Sequence, residues 1–141
     1  MQTKTMNTTT STPTTTVWPT FHYHDAPAAI RFLVQAFGFE AVAVYPGEGK
    51  NQVAHAELRW PAGGGVMLGS ARDNGMGSPP GTGSVYIVTQ DVDSLYLRAQ
   101  QAGARIIREL RDEEYGSRGF TARDPEGVVW SFGTYGGASL E

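Results

Sequence analysis

The chain has 141 residues, a formal net charge of −3 and no cysteine. This length suffices for one domain that buries most of its apolar surface, and the slightly acidic balance gives no support to nucleic-acid or anionic-membrane binding. Without cysteine, disulfides, thiolate metal ligands and a cysteine nucleophile are excluded, and no apolar run approaches the ~20 residues that cross a bilayer. We therefore expect a cytoplasmic, single-domain protein.

Threonine dominates the first sixteen residues, which show no apolar periodicity and lack the apolar stretch of a secretion signal. Residues 1–16 are therefore predicted to form a disordered tail. Residues 136–141 are predicted to form a second, flexible tail. Between the tails, residues 17–135 are predicted to fold as a single domain of two modules, at about 17–70 and 84–135.

The first module reads as a strand, a helix and three further strands. A β-rich segment leads to Asp25, a helix N-cap candidate, and Pro27 follows in the first turn, where a missing N–H does no harm. Apolar side chains then recur at helical spacing until Gly38 ends the helix. Three β-rich runs separated by turns complete the module, at residues 39–45, 53–60 and 66–68.

The second module follows a linker rich in Gly and Pro, residues 72–83, and repeats the same order. A strand over residues 84–89 precedes a helix that Asp91 is predicted to cap and Gly103 to end. A strand over residues 104–110 then leads into the acidic run Asp112-Glu113-Glu114, which is predicted to be a solvated loop.

The strongest local signal is a β-hairpin over residues 120–132, whose turn is Asp124-Pro125-Glu126-Gly127. Proline presets its own φ, the aspartate side chain can bond the turn backbone, and glycine tolerates positive φ. Trp130 and Ser131 alternate along the second strand of this hairpin, so they face opposite sides of the sheet. Trp130 is predicted to be core and Ser131 to face the open side.

The repetition indicates a duplicated βαβββ module of about 65 residues, with too few copies for a solenoid. The predicted fold class is α+β, with tandem βαβββ modules that form a curved, groove-lined sheet. Each four-stranded sheet has a helix on one face and leaves the other face open, and grooves between modules commonly bind small ligands. Whether the modules pair within one chain or with a second chain is left open by the linker length.

Three stretches resemble the vicinal oxygen chelate superfamily, and within it the PhnB-like branch of the glyoxalase/bleomycin-resistance proteins. They are YHDAPAAIRFLVQAFGFE in the first module, and VDSLYLRAQQAGA and YGSRGFTARDPEGVVWSF in the second. The resemblance spans about residues 17–135 and implies the glyoxalase/bleomycin-resistance/dioxygenase fold. That superfamily includes isomerases, dioxygenases, epoxide-opening transferases and non-catalytic drug-binding proteins, so the resemblance alone does not select one activity.

Metal-using members of this superfamily place four His or Glu ligands in the groove, two from each module. The resemblance puts the four equivalent positions near Trp18, on Glu57, near Ser84 and on Ser131. Only Glu57 is of a metal-ligand type, whereas Lewis-acid catalysis needs about three N or O ligands from the protein. We therefore predict no cofactor; the alternative is a divalent metal at Glu57, with His55 and His22 as further ligands.

Seven side chains are candidates for ligand binding: Trp18, His55, Glu57, Arg59, Tyr86, Arg118 and Ser131. Trp18 and Tyr86 are suited to stack on an aromatic ligand, and Arg118 to hold an anionic or carbonyl group. For each candidate side chain, a purely structural role is the alternative to ligand binding. Glu57 is equally suited to a structural pair with Arg59 or Arg118, and Arg118 to a surface position.

The leading functional hypothesis is a metal-independent binding protein, without catalytic residues, that sequesters a small aromatic or drug-like natural product, as resistance-type relatives do. The alternative is a metal-dependent lyase, isomerase or dioxygenase that uses Glu57. A third hypothesis is a metal-free enzyme with Glu57 or His55 as general base. The resemblance also implies a homodimer, because modules in this superfamily often pair across subunits.

Overall fold

A computed structural model describes residues 14–140, so residues 1–13 of the predicted N-terminal tail and residue 141 lie outside the described residues. The first module contains β1 (Thr20–Tyr23), α1 (Ala26–Phe32, continued by a π-helical segment over Leu33–Phe37), β2 (Glu40–Pro46), β3 (Val53–Arg59) and β4 (Gly65–Ser70). The second module contains β5 (Ser84–Val88), α2 (Val92–Gln101), β6 (Arg105–Asp112), β7 (Arg118–Arg123) and β8 (Val129–Gly133).

Each module forms one four-stranded mixed sheet, in the orders β1-β4-β3-β2 and β5-β8-β7-β6. The β1–β4 and β5–β8 pairs are parallel, and the other pairs are antiparallel. These two sheets confirm the predicted α+β class with tandem βαβββ modules. Over residues 14–140, neither helix combines the length and apolar character that spanning a membrane requires.

Helix α1 begins and ends where local chemistry predicts. The Asp25 carboxylate accepts a hydrogen bond from the Ala28 N–H at 3.1 Å, and Pro27 lies in the first turn. Gly38 ends the helical run in the left-handed conformation, with φ of 89°, where a glycine has no steric penalty. The prediction for Asp91 was wrong in one respect: it holds the N-cap position of α2, but its side chain makes no capping hydrogen bond.

The helix-covered faces of the two sheets share one hydrophobic core. Trp130, predicted to be core, is fully buried. Its ring centroid lies 5.7 Å from that of Phe21, 5.8 Å from that of Phe37 and 5.6 Å from that of Phe39, all in the first module. The two modules therefore dock against each other through this core.

The Asp124 carboxylate organises the hairpin turn from the inside. It is 3% exposed and accepts five hydrogen bonds. Oδ1 accepts from the backbone N–H groups of Glu126, Gly127 and Val128, at 3.0, 3.0 and 3.1 Å. Oδ2 accepts from the Tyr23 hydroxyl at 2.6 Å and from the Trp130 indole N–H at 3.1 Å. A buried carboxylate is tolerated only when its lone pairs are satisfied in this way.

Tyr23 connects this turn to the first module, because it belongs to β1. Burial, reinforced by the negative charge of Asp124, raises the pKa of the Tyr23 hydroxyl far above its ordinary value. The hydroxyl therefore remains protonated and keeps donating to the carboxylate. The Tyr23–Asp124 bond thus holds the first strand against the last hairpin.

The second module also completes both ends of α1. At its start, the two oxygens of the Glu126 carboxylate accept from the His24 and Asp25 N–H groups, each at 2.7 Å. At its end, the Arg98 guanidinium donates to the carbonyl oxygens of Gln35 and Val34, at 2.8 and 3.0 Å. An anion at the N-terminus and a cation at the C-terminus both stabilise a helix.

Replacing Asp124 by Asn should lower the free energy of unfolding by about 3 kcal/mol, because an amide cannot accept from all five donors and leaves buried N–H or O–H groups unpaired. Urea denaturation followed by tryptophan fluorescence measures the change. Asp73→Asn, in an exposed loop, is the matched control and should change the midpoint little. An Asp124→Asn midpoint equal to the wild-type value would contradict the assigned role.

Candidate functional site

The alternation of side chains leaves a polar row across the open face of the second sheet. Strand registers place Tyr86 opposite Ser131, Ser131 opposite Thr121, and Thr121 opposite Arg108. Directly opposed residues in neighbouring strands point to the same face. One side chain from each of β5, β8, β7 and β6 therefore contributes to a continuous line, in which the Thr121 and Ser131 hydroxyl oxygens lie 3.0 Å apart.

A cavity of about 410 Å³ covers this row. Its volume falls in the range of small-molecule sites. The lining side chains combine aromatic rings, hydroxyls and one ion pair: Tyr86, Ile107, Arg108, Glu113, Tyr115, Ser117, Gly119, Phe120, Thr121, Ser131, Phe132 and Gly133. All of them come from the second module, so Tyr86 and Ser131 are the predicted site residues that share this cavity.

Two glycines make part of the floor of this cavity flat. Gly119 and Gly133 lie opposite each other on β7 and β8. A Cβ atom on Gly133 would come 2.7 Å from the Tyr86 hydroxyl oxygen, so the missing side chain lets Tyr86 extend across the sheet. Its hydroxyl then donates to the Tyr135 carbonyl oxygen at 2.7 Å. The tyrosine ring is therefore held in place and 49% exposed at one end of the row.

An ion pair closes the other end of the row. The Arg108 Nη2 lies 2.7 Å from the Glu113 Oε2, and the Arg111 Nε lies 3.1 Å from the same oxygen. The Glu113 side chain is only 15% exposed. The prediction of a solvated acidic loop was therefore wrong for Glu113, because two guanidinium groups draw its carboxylate back onto the sheet.

The open face of the first sheet carries a different pair, His55 and Glu57. The His55 Nε2 lies 2.9 Å from the Glu57 Oε2, and both side chains are partly exposed. The Tyr45 ring stacks beside the His55 ring with centroids 6.2 Å apart. Neither His55 nor Glu57 lines the cavity of the second sheet. Glu57 therefore pairs with His55, rather than with Arg59 or Arg118 as the sequence suggested.

Trp18 and Arg59 form a second contact on the first module. The Arg59 guanidinium carbon lies 4.9 Å from the centroid of the Trp18 ring, a cation–π distance. Arg59 also donates to the Thr15 hydroxyl at 2.9 Å, and the Trp18 indole N–H donates to the Thr15 carbonyl oxygen at 3.3 Å. Trp18 thus packs under residues of the N-terminal segment, two positions before β1 begins.

The donor set does not fit a divalent metal. Of the four positions that the resemblance implies, Trp18 and Ser84 offer no strong ligand, and the Ser131 hydroxyl is paired with Thr121. Across residues 14–140, no three His, Asp or Glu side chains lie close enough together to hold a metal ion. His22, the other proposed ligand, packs against Gly77 of the linker.

Arg118, another predicted site residue, is engaged by two carboxylates. Its Nε and Nη2 donate to the Asp93 carboxylate at 2.8 and 3.3 Å, and its Nη1 donates to Asp112 at 3.2 Å. The hydrogen bond from Arg118 lowers the pKa of Asp93, and the two carboxylates raise the pKa of Arg118. Arg118 does not line the cavity of the second sheet.

Sequence reasoning missed Thr121, Arg108 and Glu113. The position of Thr121 could have been predicted from the sequence, since the hairpin turn fixes its register opposite Ser131. The position of Arg108 could not have been predicted, because the β6–β7 pairing shifts register on both sides of this residue. Sequence periodicity does not reveal such bulges. The position of Glu113 depends on the fold of the preceding strand and loop together.

Comparisons with known proteins agree on one family. Residues 17–132 match the model of the Glyoxalase/Bleomycin resistance protein/Dioxygenase superfamily. An uncharacterized protein of Mycobacterium bovis is 35% identical, over 77% of this chain and 76% of the relative. TioX from Micromonospora sp. ML1 has a similar structure, with a TM-score of 0.69 and 31% identity over 84% of this chain and 98% of that chain. Glyoxalase I from Zea mays shares the fold at 18% identity and a TM-score of 0.62, over 84% of this chain and 44% of that chain.

The Arg118–Asp93 contact makes a pH-dependent contribution to stability. A lowered folded-state pKa means that this contribution is present above the ordinary aspartate pKa of about 3.9 and is lost as the pH falls through the lower, folded-state value. Asp93→Asn should therefore lose less stability than the wild type as the pH is lowered below about 4. Urea midpoints across this range measure the difference, with Asp73→Asn as control. Parallel profiles for wild type and Asp93→Asn would contradict the pairing.

Proposed function

Because the chain belongs to the glyoxalase/bleomycin resistance protein/dioxygenase superfamily, we propose that it binds a small aromatic or drug-like molecule on the open face of its second sheet, without a metal ion. The observation that carries the proposal is the cavity of about 410 Å³ with Tyr86 at one end and glycines in its floor. The Tyr86 ring, which extends across Gly133 and is half exposed, offers an aromatic surface on which a flat ring can stack. Aromatic and hydroxyl groups around such a floor suit binding better than bond-breaking chemistry.

The chemistry of the residues supports binding over catalysis. Metal-assisted reactions in this superfamily need His or Glu ligands from both modules, and Ser131 stands at one of the implied positions. The Ser131 hydroxyl pairs with the Thr121 hydroxyl, and no base is among the cavity-lining residues apart from Glu113, which is held by Arg108 and Arg111. The Glu113 Oε2 is thus engaged by two guanidinium groups rather than free to approach a bound molecule.

A second candidate function rests on the His55–Glu57 pair. These two groups are 2.9 Å apart on the open face of the first sheet, and each is of a type that binds divalent metals or moves protons. A metal-dependent lyase, isomerase or dioxygenase would need further ligands from outside this pair. The same pair in a metal-free enzyme would act as a general base.

We also propose that the protein is a homodimer. The cavity over the second sheet is lined by the second module alone, which leaves it open to contact with a second copy of the chain. Strand β2, at the edge of the first sheet, leaves Val42 and Val44 about half exposed, at 54% and 48%, which suits burial against another chain.

Filling the cavity should abolish ligand binding. N-phenyl-1-naphthylamine, a neutral aromatic probe, should gain fluorescence on binding the wild type and stabilise it by about 2.7 kcal/mol at 100 times its Kd. Ser131→Leu places an isobutyl group in the floor and should weaken binding at least about tenfold, since the probe and the side chain compete for one volume. Fluorescence titration measures both.

Ser84→Leu is the matched control, because Ser84 is on the same sheet face but outside the cavity lining. It should retain wild-type affinity for the probe. No binding by the wild type at hundreds of micromolar, tested over a panel of aromatic natural products as well, would count against the proposed function.

Metal content separates the two candidate functions. Protein purified without chelator should carry Ni, Zn, Mn and Fe only in amounts far below one per chain, since the described donor set is incomplete. Elemental analysis measures this, with Glu57→Ala in parallel. Stoichiometric metal in the wild type that is lost in Glu57→Ala would overturn metal independence and support the enzyme.

The homodimer is tested by its mass in solution. Light scattering coupled to size exclusion should give twice the 15.2 kDa mass of one chain at micromolar concentrations. Val44→Lys, which puts a charge on the β2 edge, should shift the population towards the monomer if that edge is covered. A wild-type mass of one chain over the whole concentration range would refute the dimer.

A further inference from the structure

The Arg108 side chain has one hydrogen-bond donor that the protein leaves unused. Within residues 14–140, the Arg108 Nε is the buried side-chain polar atom without a partner. The side chain as a whole is 41% exposed, because its outer nitrogens reach solvent and the Glu113 carboxylate. Buried donors are nearly always paired, so this guanidinium retains unused hydrogen-bonding capacity where its exposed outer part lines the cavity.

The charges at this end of the cavity show which acceptor fits. Arg108 and Arg111 share one carboxylate, that of Glu113, so two positive groups face one negative group. Arg111 lies outside the cavity lining, and the lining residues other than Arg108 and Glu113 are uncharged. An excess positive charge beside an unused donor is complemented by an anion, and the planar guanidinium fits a carboxylate closely.

The position of Arg108 defines the shape of the partner. Arg108 and Tyr86 occupy opposite ends of a row that crosses four strands. Three strand spacings amount to about 14 Å, enough for fused rings with a polar group at one end. The Thr121 and Ser131 hydroxyls lie between these ends, and the flat glycine floor lies one row away. A ligand would therefore lie with its rings towards Tyr86 and its charge towards Arg108.

We propose that Arg108 makes this cavity selective for flat aromatic molecules that carry a carboxylate. The proposal rests on the proposed function, since it assumes that the cavity over the second sheet is the binding site. Arg108 then acts as a specificity-determining residue: the ring system supplies the apolar contact, and the carboxylate accepts from the exposed outer nitrogens of the Arg108 guanidinium. The neutral amide of the same molecule has no charge to place at this end and should bind more weakly.

The test compares 2-naphthoate with 2-naphthamide, which share their ring system and differ in charge. Calorimetric titration of the full chain should give at least about tenfold tighter binding of 2-naphthoate, the size expected of one charge-assisted hydrogen bond. In Arg108→Gln this preference should shrink to within about twofold, while the affinity for 2-naphthamide stays near the wild-type value. Arg105→Gln, an exposed arginine on the same strand, should keep the full preference.

Removing Arg108 also leaves Glu113 with one partner fewer, so the double variant Arg108→Gln/Glu113→Gln is measured as well. Retained 2-naphthamide binding in either variant shows that the cavity is intact, and loss of the 2-naphthoate preference in both supports the proposal. Equal affinity of the wild type for the two probes, or a preference that survives both variants, overturns the role of Arg108 and leaves the binding function standing. If neither these probes nor N-phenyl-1-naphthylamine binds the wild type, the binding function fails with it.

Discussion

The structure depends on one buried carboxylate, that of Asp124. An uncompensated charge in a protein interior costs several kcal/mol, so the groups around Asp124 have little freedom. Three N–H groups of its own turn fix the hairpin, and the Trp130 indole N–H fixes the orientation of the largest ring in the core. The Tyr23 hydroxyl brings the first strand to the same point. Hairpin register, core packing and module docking are therefore set together.

This docking determines where chemistry can occur. The modules meet through one shared core, and each sheet presents polar groups on its own open face. His55 and Glu57 lie on one of these faces, and Tyr86, Ser131 and Arg108 lie on the other. Within a single chain, the two sets do not form one site. The groove of the second sheet must therefore obtain its selectivity from its own strands, and the Arg108–Glu113 pair is the strongly polar group there.

The sequence predicts features whose cause is local. The Asp25 cap, the left-handed Gly38 and the turn around Asp124 each follow from residues within a few positions, and alternation along β8 correctly separated Trp130 from Ser131. Features that depend on partners distant in the sequence could not be predicted. Nothing near Glu126 indicates that it binds the start of α1, and nothing near Arg118 indicates Asp93 as its partner. Of the predicted site residues, Tyr86 and Ser131 line the cavity of the second sheet, and the opposite end of that cavity could not be predicted because Arg108 lies on a bulged strand.

The hydrogen bonds of Glu126 to His24 and Asp25 join positions 102 and 101 residues apart. A ribosome needs roughly 5 to 20 s to add that many residues. During this interval the emerging N-terminal half has an incompletely capped helix and a sheet without the aromatic rings that cover its inner face. Closing so long a loop is slow compared with forming local structure. Residues of the second module, which are synthesised later, therefore complete the first module, and the nascent chain reaches its cooperative native state only after translation has passed Glu126.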